Sequence, residues 1–134
     1  MKIIYRDTHD LSRDDLEALF LSVEWSSGHY PDKLREAMRH FETVYTAWDG
    51  ETLAGLVCAM DDGVMTAYIH YLLVRPEYQH TGIGTHLVEL MKDRYRDFLR
   101  VVLVAYDREI GFYQSRGFQR PDGYSPMFIT ELWT

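Results

Sequence analysis

Gln79-His80-Thr81-Gly82-Ile83-Gly84 decides how this chain is read. The apolar run Tyr68-Ile69-His70-Tyr71-Leu72-Leu73-Val74 precedes it, and helical periodicity follows from Thr85 to Arg96. Strand, glycine turn and helix start, in that order, make an anion cradle. Glycine lets the backbone approach a ligand closely. The N–H groups of a first helical turn lack internal acceptors and point one way, and the helix dipole adds positive potential there. A pyrophosphate suits such a place. Two common phosphate motifs do not fit. The Walker pattern ends in Gly-Lys-Ser/Thr, whereas Gly84 is followed by Thr85-His86. The dinucleotide fingerprint carries three glycines and sits near a first strand.

Working outward, Ile3 to Tyr5 reads as a first strand. Ser12 starts a helix, with Asp15 three residues on in a capping-box arrangement. Leu16, Leu19, Phe20 and Val23 give that helix one apolar face. A loop rich in aromatics runs from Trp25 to Tyr30. Pro31 suits the first position of a second helix, whose stripe is Leu34, Ala37, Met38 and Phe41. Three strands follow, Thr43–Trp48, Thr52–Met60 and Val64–Val74. Asp49-Gly50 and Asp61-Asp62-Gly63 turn them into an antiparallel meander.

The helix from Gly82 to Arg96 carries Ile83, Leu87, Leu90, Met91 and Tyr95 on one side. Leu99 to Ala105 is apolar almost throughout, the pattern of a strand buried on both faces. Strand, crossover helix and apolar strand predict a parallel, right-handed βαβ unit. A short helix spans Arg108 to Ser115 with Gly117 as its C-terminal cap. A last strand is expected at Met127–Leu132. No linker, repeat or boundary is visible, so residues 1–134 read as a single domain.

The formal net charge of −7 argues against nucleic acid as a partner, because phosphate binding needs clustered Lys and Arg. No apolar run approaches the ~20 residues of a membrane span. The first residues do not read as a signal peptide, so the expected location is cytoplasmic. Cys58 is the lone cysteine and lies in the apolar run Leu56–Met60, which reads as a buried, inert thiol. His9, His29, His40, His70, His80 and His86 have no ligand spacing with carboxylates or Cys58, so no metal is expected.

Gln79-x-x-Gly82-x-Gly84 resembles the Gln/Arg-x-x-Gly-x-Gly/Ala signature of the GNAT superfamily of N-acetyltransferases. Leu73-Val74-Arg75-Pro76-Glu77-Tyr78 resembles the segment that leads into it. Phe112-Tyr113-Gln114-Ser115-Arg116-Gly117-Phe118 is similar to the family's Phe-Tyr-x-x-x-Gly-Phe block. The resemblance covers about residues 43 to 120 well. It implies an α/β (α+β) fold with a mixed, mainly antiparallel sheet, a central parallel βαβ unit and helices on both faces.

The same resemblance implies acetyl-CoA as co-substrate. Its pyrophosphate is expected on the backbone amides of Gln79, His80, Thr81, Gly82, Ile83, Gly84 and Thr85. The pantetheine arm is expected along a bulged fourth strand at Leu72, Leu73 and Val74, where that strand splays from the fifth. The implied activity is transfer of an acetyl group to a small-molecule primary amine by direct attack in a ternary complex. A non-catalytic acyl-CoA-binding sensor and transfer of another acyl group, such as succinyl, are the alternatives. A homodimer through an exposed sheet edge is a further expectation of this fold class.

Acetyl transfer to an amine needs a base, an oxyanion donor and a hydrogen-bond donor for the departing thiolate. Motif position nominates Tyr113 as the acid. His70 is the candidate base, since an imidazole titrates near ~6.5 and on an extended strand shares a face with Tyr68 and Leu72. The strand also resembles the arylalkylamine branch of the family, where histidines on this strand help deprotonate the amine, although Tyr68 replaces one of them. Glu24, Asp61 and Asp62 are alternative acceptors, the last two reading more simply as a turn. Glu24, Trp25, His29 and Tyr30 form the candidate acceptor wall. Many family members carry an Asn before the helix that leads to the tyrosine, where this chain reads Tyr106-Asp107-Arg108-Glu109, so the resemblance implies Asp107 in place of that coenzyme contact.

Overall fold

The computed structural model describes residues 2–134. Its elements are β1 (Ile3–Asp7), α1 (Arg13–Ser22), α2 (Pro31–His40), β2 (Thr43–Asp49), β3 (Thr52–Asp61), β4 (Thr66–Val74), α3 (Ile83–Arg94), β5 (Arg100–Leu103) and α4 (Ile110–Ser115). Single 3₁₀ turns cover Ser26–His29, Pro76–Tyr78 and Asp107–Glu109. The strands form one sheet in the order β1-β2-β3-β4-β5. All pairings are antiparallel except β4 with β5, which is parallel and joined through α3. Among the described residues no helix is long and apolar enough to cross a membrane.

Local chemistry sets these elements. The Ser12 side chain accepts from the Asp15 N–H at 3.1 Å and starts α1. Pro31 opens α2, where a missing N–H costs nothing. Leu16, Leu19, Phe20, Leu34 and Met38 pack from α1 and α2 onto one face of the sheet. Ile83, Leu87, Met91 and Tyr95 pack from α3 onto the other. Each fully buried leucine contributes about 1.5–3 kcal/mol. Tyr95 also donates to Asp61 Oδ2 at 2.8 Å and accepts from Thr43 Oγ1 at 2.7 Å, which ties the end of α3 to β2 and β3.

Three expectations are corrected. The parallel pair lies at the sheet's edge, because Met127–Leu132 forms no strand and β5 has no outer neighbour among the described residues. For the same reason β5 is half-exposed, not buried on both faces: Val102 is 41% exposed. The bulge in β4 lies at His70 instead of Leu73–Val74. Ile69 pairs with Ala59 and Tyr71 with Cys58, so His70 has no partner on β3. An extra residue reverses the in–out phase of a strand. Ala67 and Ile69 therefore face α3, Tyr71 and Leu73 face α1 and α2, and Leu72 returns to the α3 side. His70 keeps Tyr68 as a neighbour but not Leu72.

Candidate active site

β4 and β5 pair from Thr66 with Arg100 to Ile69 with Leu103 and then part. Past that point the β4 edge from His70 to Val74 has no strand beside it. The parting opens a cleft of about 1080 Å³ between the glycine turn, the start of α4, the loop after α1 and the C-terminal segment.

At one end stands the anion cradle. The N–H groups of His80, Thr81, Gly82, Ile83, Gly84 and Thr85 donate to no acceptor among the described residues, and the first internal bond of the helix runs from His86 N–H to the Gly82 carbonyl at 3.0 Å. His80 and Gly82 reach this geometry through left-handed backbone, with φ 63 and φ 93. Glycine alone adopts that conformation without steric cost. A run of unpaired amides at a helix start suits a pyrophosphate, so the residues present fit coenzyme A. Gln79 does not join the cradle as expected. Its N–H donates to the Pro76 carbonyl at 3.2 Å, closing the 3₁₀ turn, and its Nε2 donates to the Val74 carbonyl at 2.9 Å.

Side chains make the rest. Tyr113 faces the cleft from α4. No protein group hydrogen-bonds its hydroxyl among the described residues, and burial, then the nearby Glu109 carboxylate, push its pKa up to about 12. His70 sits among rings, 4.2 Å from Tyr71, 5.6 Å from Tyr68 and 5.9 Å from Phe41 between centroids. Burial against those rings lowers its pKa from the usual 6.5, so it is neutral at pH 7. Glu24 closes α1 in left-handed conformation, φ 59, and the next amide, Trp25 N–H, bonds the Phe20 carbonyl at 3.0 Å. That cap turns Glu24 and Trp25 into the cleft.

Of the residues nominated from sequence, Glu24, Trp25, His70, Leu72, Leu73, Val74, Gln79, His80, Gly82, Gly84, Thr85 and Tyr113 all line the one cleft. Ile83 does not, being 2% exposed with its side chain in the core. The Thr81 side chain bonds the Tyr78 carbonyl instead. Only the amides of these two residues serve the cradle. His29 lies outside the cleft, and Tyr30 opens into a separate cavity of about 310 Å³ with Lys33 and Glu131. Both are corrections to the expected acceptor wall. The 3₁₀ turn Ser26–His29 carries them past it.

Asp61 and Asp62 are spent on a turn. Asp62 Oδ1 accepts the Val64, Met65 and Thr66 N–H groups at 2.9, 2.7 and 3.1 Å, and Asp61 Oδ1 that of Gly63 at 2.7 Å. Asp107 is exposed and does not line the cleft, whereas Tyr106, Arg108 and Glu109 do. Cys58 is fully buried and burial pushes its thiol far up, away from the reactive thiolate. Among the described residues no group of His, Cys, Asp and Glu side chains could hold a metal ion.

The spacing of the sequence misses Tyr71, Phe112, Phe128 and Trp133, which also line the cleft. Tyr71 could have been found only by knowing the bulge, and Phe128 and Trp133 only by knowing where the last segment runs, whereas Phe112 adjoins Tyr113 in α4.

The arrangement is a cleft through a splayed parallel strand pair with an anion cradle at one end. Residues 6–118 match the model of the Acetyltransferase (GNAT) family, and the chain belongs to that family. It is 28% identical over 130 residues to GCN5-related N-acetyltransferase 1, chloroplastic, of Arabidopsis thaliana, covering 93% of this chain and 66% of the relative. It is 32% identical over 93 residues to Serotonin N-acetyltransferase 2, chloroplastic, of Oryza sativa subsp. japonica, covering 65% of this chain and 46% of the relative. The chain thus spans less than two thirds of the length of these curated relatives. A solved GNAT family acetyltransferase from Streptococcus pneumoniae TIGR4 superposes with a TM-score of 0.83 at 26% identity, covering 97% of this chain and 99% of that one.

Proposed function

We propose that the chain moves the acetyl group of acetyl-CoA to a small primary amine by direct attack in a ternary complex. The observation that carries this reading is the run of unpaired amides from His80 to Thr85 opening onto the same cleft as His70 and Tyr113. Acetyl-CoA, when bound, supplies the acetyl thioester. The chain's own residues do the rest. Glu24 and Glu109 give the cleft carboxylates that attract an ammonium. Neutral His70 takes the proton that the amine must lose, directly or through water. The unpaired edge of β4 offers backbone donors to the thioester oxygen. Tyr113 donates a hydrogen bond to the leaving sulfur. A phenol held at about 12 keeps its proton against a thiol near ~8.5, so this is stabilisation of the thiolate with the final proton coming from solvent.

No cysteine nucleophile faces the cleft among the described residues, which favours direct attack over a covalent acetyl-enzyme. A cytoplasmic location and a homodimer through the outer edge of β5 belong to the same proposal. The test is thiol release from acetyl-CoA across a panel of amines, beside succinyl-CoA as donor. Tight coenzyme binding without turnover on any amine would sink the enzyme reading and leave a sensor. Preference for the larger acyl group would sink the acetyl assignment.

A further inference from the structure

The segment after α4 turns at Pro121-Asp122-Gly123 and runs back over the cleft without pairing to any strand. Phe128, Ile129, Thr130, Leu132, Trp133 and Thr134 all border the cleft. Its far end is fastened to the start of the 3₁₀ turn after α1. Ser26 N–H donates to Thr134 Oγ1 at 2.7 Å, and Ser27 N–H donates to the Thr134 carbonyl at 2.8 Å. Ser27 Oγ donates to that same carbonyl at 2.6 Å and lies 2.9 Å from the Tyr71 hydroxyl. A serine has one hydroxyl proton, and a carbonyl can only accept. The Tyr71 hydroxyl must therefore be the donor to Ser27 Oγ. The fastening point thus continues through Ser27, which is 3% exposed, to Tyr71, whose ring is 4.2 Å from His70.

Partway along the segment, Thr130 Oγ1 accepts the Leu132 N–H at 2.8 Å and stiffens it. Phe128 and Trp133 meet edge to face at 5.2 Å between centroids. They remain 52% and 72% exposed. Large rings held together at the mouth of a cleft and left uncovered mark a surface that a ligand covers. Trp25, Tyr68 and Tyr71 face the same space.

We propose that residues 128–134 are a strap that completes the acceptor pocket, with Phe128 and Trp133 selecting amines that carry an aromatic body. This rests on the acetyltransferase reading. The strap and the rings of Trp25, Tyr68 and Tyr71 line the same cleft as His70, which lies 4.2 Å from Tyr71 and 5.6 Å from Tyr68 between centroids. A flat ring in such a cleft gains edge and face contacts that an alkyl chain does not. The Ser27–Tyr71 link joins the strap's fastening point to Tyr71, a positioning residue whose ring also packs on Phe20 at 4.9 Å and lies 4.2 Å from His70.

The test is steady-state kinetics of the full chain with acetyl-CoA and two probe amines, 2-phenylethylamine and n-butylamine. The double variant Phe128→Ala, Trp133→Ala should raise KM for 2-phenylethylamine about tenfold, as loss of ring packing of this kind does. KM for n-butylamine and for acetyl-CoA should not move, and Trp133→Phe should recover most of the loss. Unchanged KM for 2-phenylethylamine in the double variant overturns the proposal while leaving the acetyltransferase reading intact. If the wild-type chain turns over no amine, calorimetric titration of 2-phenylethylamine against the chain loaded with coenzyme A decides it. Weaker binding by the double variant, with slower hydrogen exchange of residues 128–134 in the wild type on adding the amine, supports the strap. Equal binding, or none by the wild type, overturns it. Absence of coenzyme A binding altogether counts against the acetyltransferase reading instead.

Discussion

The two ends of the cleft are made of different material. The cradle end is backbone, the amides of a single stretch from His80 to Thr85, and side-chain identity matters there mainly at Gly82. The acceptor end is side chains, drawn from Trp25, the bulge at His70, Tyr113 and Phe128 with Trp133, which are far apart in sequence. A backbone site needs only the right dihedral angles over a few residues, and a glycine supplies them. A side-chain site needs several elements to be packed correctly first. The cradle should therefore tolerate changes that keep φ, whereas the acceptor end should answer to single atoms.

The largest effect that tests this contrast is expected at Tyr113. Tyr113→Phe removes one hydroxyl and should slow turnover by ~100-fold, with acetyl-CoA affinity by calorimetry unchanged. Unchanged turnover removes Tyr113 from the mechanism, and a matching loss of affinity would make it a packing residue. At the other end, Gly82→Ala should weaken acetyl-CoA binding about tenfold, because left-handed backbone costs an L-residue ~1–2 kcal/mol. Gly84→Ala should bind as the wild type does, since its added Cβ would come no nearer than 3.8 Å, to Phe112 Cζ. The reverse ranking would break the backbone account of the cradle.

His70→Ala should slow the reaction about tenfold at pH 7 and recover as pH rises, because more of the amine is then already neutral. The sign of the wild-type profile follows from the pKa. Burial lowers it, so His70 stays a base through neutral pH and is lost by protonation only below the ordinary histidine value of 6.5. A defect in His70→Ala that is flat with pH would make the residue structural. The smallest effect is expected for Asp107→Asn. That side chain is exposed and outside the cleft, so calorimetry should find acetyl-CoA affinity unchanged. A tighter complex would mean that Asp107 turns inward when the coenzyme binds.

Legibility followed the same division. Gln79 to Gly84 and Phe112 to Phe118 are contiguous, so their spacing was enough to nominate the cradle and Tyr113. Even so, Gln79 was assigned an amide that the preceding 3₁₀ turn consumes. His29 and Tyr30 were drawn to the acceptor wall by their place beside Trp25, but one short turn carries them past it. His70 was nominated with Leu72 as a face-mate, and one unpaired residue sent Leu72 to the opposite core. Met127–Leu132 follows the Pro121-Asp122-Gly123 turn and was expected as a last strand, yet tertiary fastening at Ser26 and Ser27 draws it across the cleft instead.

By itself the sequence determined the order of strands and helices as far as α4, the family and the cradle, because periodicity, capping residues and a glycine turn act over a few neighbouring residues. Only the tertiary structure decided the position of the bulge, the edge status of β5 and the company His70 keeps. Those depend on register between strands and on where a distant segment is fastened, and neither is set by any stretch of chain read alone.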